Sequence, residues 1–146
     1  LRGKETLDAS APVDREFIEA RLRRLMEMRA ANDHRGMLEY VAEDIVFDVR
    51  GNWTVFPFAG PVKGKDMVAR ALMSIATQFE NLGSTVKEIV IDGDRVAIRR
   101  TACIRHRGTS KTAYVDFADF IRFRDGLVIE FAEIADSVVL ARLDEV

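Results

Sequence analysis

Hydrophobic and polar positions change their period once along this chain, close to Gly83. Before that point apolar residues recur at helical spacing. Phe17, Ile18, Leu22, Leu25, Met26 and Met28 form one stripe, which predicts a helix from a cap at Asp14 to about residue 31. Asn32-Asp33 breaks it. A short second helix carries Met37, Leu38, Tyr40 and Val41, ends at Asp44, and leads into a strand over residues 45–50. A third helix over residues 64–80 buries Val68, Ala71, Leu72, Ile75 and Phe79. After Asn81-Leu82-Gly83 the apolar period drops to two, which predicts strands over residues 85–91, 96–106, 112–123 and 127–135. Turns at Asp92-Gly93-Asp94, Arg107 to Ser110 and Arg124-Asp125-Gly126 separate them. Helices followed by a meander of long strands give an α+β layout, with the helices packed on one face of a curved antiparallel sheet.

Two stretches fall outside this periodicity. Residues 1–13 are polar and aperiodic and read as a flexible tail. Residues 51–61 read as a loop from their Gly and Pro content, yet hold Trp53, Val55, Phe56 and Phe58. Trp53, Phe56 and Phe58 either plug the core or line the mouth of a pocket.

Composition narrows the classes of function. At 146 residues, residues 14–146 make one domain large enough for a hydrophobic core. A net charge of -2, with acids and bases interspersed, argues against a nucleic-acid or membrane partner, which needs a concentrated basic patch. The only cysteine, Cys103, excludes an internal disulfide and points to a reducing, cytoplasmic setting. No spacing of His, Cys, Asp and Glu suggests a metal site, and no motif calls for a cofactor.

Strand alternation places the candidate chemistry. One face of the last three strands carries Ile98, Arg100 and His106, then Phe117 and Asp119, then Phe131 and Glu133, in otherwise apolar rows. A four-residue loop after His106 sets Arg100 opposite Phe117 and Ile98 opposite Asp119. A three-residue loop at Arg124-Asp125-Gly126 sets Asp119 opposite Phe131 and keeps Glu133 on Asp119's face. A two-residue loop at Asp125-Gly126 would turn Glu133 to the other face. With the first register, Arg100, Asp119 and Glu133 gather around Phe117. A carboxyl group among apolar side chains rises in pKa, whereas an adjacent arginine holds it ionised. Such groups can donate to a developing oxyanion or abstract a proton.

The order of elements resembles the nuclear transport factor 2-like superfamily, and within it the SnoaL-like polyketide cyclases and ketosteroid isomerase. The residues carrying the resemblance are Asn32-Asp33, Ala42 to Phe47, Phe58 to Gly64, Asp119 to Phe123, Asp125-Gly126 and Phe131 to Asp136. The resemblance implies a cone: a strongly curved antiparallel sheet with three N-terminal helices over its concave face, a cystatin-like α+β barrel. It implies an apolar pocket at the open end that takes a small apolar molecule, and a homodimer through the outer face of the sheet. The outer rows, Ala97, Thr101, Cys103, Tyr114, Ala118 and Phe120, are apolar enough for that contact. Asp119 falls at the ketosteroid isomerase aspartate that donates to the oxyanion. (That isomerase is a known case of a carboxylic acid kept neutral by its site.) The tyrosine of that oxyanion hole falls at about Leu25 and the general base at Val49, with Asp48 beside it on the opposite parity. Steroid isomerisation is therefore disfavoured.

Two readings follow. In the first, a cofactor-independent isomerase, cyclase, dehydratase or hydrolase acts on a small apolar carbonyl or epoxide. Asp119 and Glu133 are then the acid and base candidates, Arg100 orients them or holds a substrate anion, and Trp53, Phe56, Phe58, Phe117, Phe131, Ile98 and His106 line the site. In the second, Arg100, Asp119 and Glu133 form a structural ion network in a non-catalytic binding or dimerisation module. His106 and His34 read as surface residues, with His106 the candidate for a rim acid or base.

Overall fold

The computed structural model describes residues 14–51 and 59–145. Asp14 caps α1 (Arg15–Ala30) by accepting from the Phe17 amide at 2.8 Å. The stripe Ile18, Leu22, Leu25 and Met28 is buried, worth about 1.5–3 kcal/mol per large apolar side chain. Asn32, at φ 61°, turns the chain, and Asp33 caps α2 (His34–Leu38) by accepting from Gly36 at 2.9 Å. The expected tail, residues 1–13, and the loop aromatics Trp53, Phe56 and Phe58 lie outside the described residues.

Strand β1 (Val41–Arg50) starts earlier than expected, with no helical residue after Leu38. Val41 already pairs with Val128 of β6 (Leu127–Ala135), and the Val128 amide donates to Tyr40. Strand β2 (Gly60–Lys63) pairs with β1, and Gly64, at φ 92°, hydrogen-bonds Ile45 and opens α3 (Lys65–Gln78). The conformation at Gly64 suits a residue without a Cβ.

Strand β3 (Phe79–Asp92) is also longer than the sequence suggests. Phe79 pairs with His106 of β4 (Arg95–His106), so the third helix stops at Gln78. Asn81-Leu82-Gly83 is a bulge inside the strand, with Gly83 at φ 129°, and a second register shift follows between Val86 and Glu88. Two bulges in one strand bend it strongly, which curls this edge of the sheet against α1. Strand β5 (Thr112–Arg124) completes a curved sheet that, among the described residues, has six strands in the order β2-β1-β6-β5-β4-β3. All neighbours are antiparallel except β1 and β6, which run parallel. A fourth helix, α4 (Ser137–Asp144), follows β6, capped by Asp136 accepting from Val139 at 3.3 Å. The fold is thus the expected α+β curved sheet, with the three expected helices ahead of β3 and, among the described residues, a fourth after β6.

The β5–β6 register differs from the expectation in an instructive way. Arg124 pairs with Leu127 across a two-residue turn in which Asp125 and Gly126 have φ 53° and 75°. Both values are left-handed, the geometry that Asp-Gly favours in hairpins. That turn alone would send Glu133 to the outer face. A bulge at Ile129, between the Phe123–Val128 and Arg122–Glu130 pairs, inverts the parity again. Asp119 therefore lies directly opposite Glu133, and Ile121 opposite Phe131. The β4–β5 register matches the expected one: Arg100 opposes Phe117 and Ile98 opposes Asp119.

Among the described residues the interior has two apolar clusters. One gathers Ile18, Leu22, Phe47, Leu72, Ile98 and Ile121; the other gathers Phe79, Ala102, Ile104, Val115, Phe117 and Leu140. Strand alternation puts Arg100 between Ile98 and Ala102, and Asp119 between Phe117 and Ile121. A belt of charged residues thus separates the two clusters.

Candidate active site

Arg100, Asp119 and Glu133 are each at least 97% buried, at 3%, 2% and 3% exposure. Arg100 Nε donates to Asp119 Oδ2 at 2.6 Å, and Nη2 donates to Asp119 Oδ1 at 3.3 Å and Glu133 Oε1 at 2.8 Å. Nη1 reaches Ser84 Oγ at 3.2 Å, and the guanidinium lies 4.1 Å from the centre of the Phe117 ring. Four donor contacts and a stacked face hold Arg100 in one geometry.

Arg29, absent from the sequence-derived set, completes the network. Its Nη1 donates to Glu133 Oε1 at 2.6 Å and Nη2 to Oε2 at 3.4 Å. With both carboxylates ionised, two arginines and two acids balance. Arg29 follows Leu25 by four residues and Leu22 by seven, so it continues the buried stripe of α1. That spacing was readable in the sequence.

The two acids occupy different environments. Burial is the largest influence on Glu133 and pushes it up, but Arg29 and Arg100 together outweigh it and hold the carboxyl below its ordinary value. Burial also dominates at Asp119, and Arg100 does not offset it, so this carboxyl sits above its ordinary value. Arg100, lowered by burial, is raised overall by the two acids.

A cavity of about 310 Å³ opens beside this network. Leu72, Ile75, Phe79, Ile104, Phe117 and Leu140 form its apolar wall. Glu133, Arg29 and Arg100 reach it, whereas Asp119 does not. Asp119, Ile98 and Phe131 instead border a separate cleft of about 30 Å³ beneath α1. Phe131 also packs on Phe47, ring centres 5.9 Å apart.

His106 is buried and does not line the cavity. Its Nδ1 accepts from the amides of Gly108 and Thr109 at 3.1 and 3.2 Å, and its Nε2 lies 3.2 Å from Asp144 of α4. It ties the β4–β5 turn to the last helix. His34, expected at the surface, is half-buried and lines the cavity; burial first, and then Arg29, push its pKa down. Asp48 is buried off the cavity and pairs with Arg50 at 2.8 Å. Among the described residues no group of His, Cys, Asp and Glu is placed to hold a metal ion, and no helix is long and apolar enough to cross a membrane.

The model of the SnoaL-like domain matches residues 22–131. This chain belongs to the SnoaL-like family. No curated protein matches it, but solved structures of the nuclear transport factor 2-like superfamily do. A nuclear transport factor 2-like protein from Burkholderia xenovorans is 25% identical over 90% of this chain and 98% of its own, with a TM-score of 0.71. A candidate isomerase from Bacillus subtilis is 16% identical over 85% and 89%, TM-score 0.76. TerC, co-crystallised with polyporic acid, is 21% identical over 89% and 98%, TM-score 0.76. Leu25, where the resemblance implies the ketosteroid isomerase tyrosine, is buried in this SnoaL-like chain, and Val49, where it implies the base, lies on the cavity wall. Neither can donate or accept a proton. Among the described residues, Glu133, Arg29 and Arg100 bring the buried charged network to the cavity wall.

Proposed function

We propose that this SnoaL-like protein is an isomerase or cyclase acting on a small, mostly apolar carbonyl compound bound in the cavity. One observation carries the reading: Glu133 is a carboxylate on the cavity floor, gripped by two arginines that share that floor. Glu133 removes a proton from the carbon next to the carbonyl. The C–H bond breaks, an O–H bond forms on Glu133, and the electron pair moves to the carbonyl oxygen. Negative charge passes from the carboxylate to an enolate oxygen while both remain beside the same guanidinium groups. The arginines then stabilise charge where it develops, without reorganising. Returning the proton to a different carbon gives an isomer; attack of the enolate carbon on a second carbonyl closes a ring, its C=O π bond opens to an alkoxide, and that oxygen takes the proton back from Glu133.

A carboxylate held low in pKa is a weak base, so the rate gain comes mainly from placement and from stabilisation of the enolate. Asp119 acts through Arg100 as a positioning residue. The cavity volume lies at the small end of ligand sites, roughly 300–1,000 Å³, consistent with a one- or two-ring substrate. The isomerase description of the Bacillus subtilis protein and the co-crystallisation of TerC with polyporic acid support the choice of chemistry.

The test is proton exchange into 2-tetralone, an enolisable two-ring ketone, followed by NMR in deuterated buffer. The native protein should accelerate exchange, and Glu133→Gln should lower that acceleration by roughly 10²-fold or more. Equal exchange by native protein and variant would overturn the assignment.

A further inference from the structure

The cavity mouth differs from its floor in charge balance. On the floor, Arg29 and Arg100 are met by Glu133 and Asp119. At the mouth the acid Glu80 turns to Arg105, at 3.2 Å. Arg107 lines the same mouth, and among the described residues no carboxylate lies within ion-pair distance of it. Its Nε donates to the carbonyl of Ala76 at 2.6 Å, and its own amide donates to Gln78 at 2.9 Å. Both contacts are at the C-terminal end of α3, so the side chain is fixed while its two terminal amino groups stay available. Asn81 is fixed similarly: its Oδ1 accepts from the Gly83 amide at 2.8 Å within the β3 bulge. Asn81 also lines the cavity, and among the described residues its amide N–H groups have no hydrogen-bond partner. The mouth therefore offers a cation and free donors, while Glu80 is engaged elsewhere.

We propose that the substrate is an anion, a carboxylate or an acidic enol, whose charged oxygens sit on Arg107 and Asn81 at the mouth. Its apolar body then lies along Phe79, Ile75 and Leu140, and its reacting carbon meets Glu133. This deepens the assignment made above and depends on the cavity being the substrate site. The charged group does no chemistry. It sets which end of the molecule enters, and it adds an attraction that a neutral analogue lacks. One well-placed charge-assisted hydrogen bond contributes about tenfold or more in affinity.

The experiment compares 2-naphthylacetate with the near-isosteric neutral 2-naphthylacetamide, both titrated by ligand-detected NMR. The acetate should bind about tenfold more tightly at low salt, with the margin shrinking as salt is raised. Arg107→Met should reduce the preference to within about twofold without weakening the amide, and Arg107→Lys should restore part of it. Equal affinities for the two probes in the native protein, or a preference that survives Arg107→Met, would overturn the anion assignment while leaving the role of Glu133 standing. Binding of neither probe would overturn the cavity as a ligand site, and both assignments with it.

Discussion

Arg29 and Glu133 can be separated energetically by a double-mutant cycle, and the structure sets the expected size. The closest contact is 2.6 Å, the second is 3.4 Å, and the two side chains are 15% and 5% exposed. With charge centres about 4 Å apart and an effective dielectric constant of about 20, the attraction is about 4 kcal/mol. Desolvation takes back part of it, and Arg100 still compensates Glu133 at 2.8 Å after Arg29 is lost. Arg29→Met should therefore destabilise by about 3 kcal/mol, the low end for a broken buried pair. Glu133→Gln should cost a similar amount, because it leaves two arginines facing Asp119 alone. The double variant should fall short of the sum by about 2 kcal/mol. Urea unfolding at neutral pH reads all four corners of the cycle. The acid limb adds a second reading. Glu133 lies below its ordinary value of 4.5 in the folded protein, so its stabilisation is fully present above that value. It is lost as pH falls through the lower folded value. Arg29→Met removes one of the two depressing charges, and the loss should then begin at higher pH. A coupling energy under about 0.5 kcal/mol, or an unmoved acid limb, would refute the network as an energetic unit.

The other acid and the outer face of the sheet give contrasting expectations. Asp119 is raised above 3.8 by burial, so the folded state binds its proton more tightly than the unfolded chain. Stability therefore falls as pH rises across that window. Asp119→Asn removes the titrating group, so that slope should disappear from urea unfolding measured across the acid range. A slope that survives in the variant would show that another group carries it. On the convex face, Tyr114, Phe120 and Ile134 are 77%, 52% and 43% exposed. If the protein dimerises through this face, Phe120→Glu should shift the species seen by light scattering from dimer to monomer without affecting 2-tetralone exchange. A monomeric native protein would remove the dimer proposal.

Local periodicity determined most of the secondary structure. The α1 stripe, the Asp14 cap, the Asn32 break and the β4–β5 register are visible because each depends on residues close in sequence. The early start of β1, the parallel β1–β6 pairing and the extension of β3 back to Phe79 depend on partners far along the chain. Those backbone groups take sheet hydrogen bonds because a neighbouring strand is there to receive them. The hairpin shows the division most sharply. Asp125-Gly126 specifies a two-residue turn by its own conformational preference. Nothing local announces the bulge at Ile129, which forms because it returns Phe131 and Glu133 to the buried face.

The site divides along the same line. Arg100, Asp119 and Glu133 are legible as charged residues interrupting apolar rows, and Arg29 lies on a helical spacing that marks it as buried. Which acid faces the cavity is not a property of any row. α1 lies over Asp119, Glu133 borders the cavity instead, and Arg29 reaches Glu133 across 104 positions of sequence. The sequence by itself determined that acids and arginines share an apolar interior. Only the tertiary structure decided which acid is held low in pKa beside the cavity and which is raised and enclosed, because both outcomes follow from where α1 and its last turn pack.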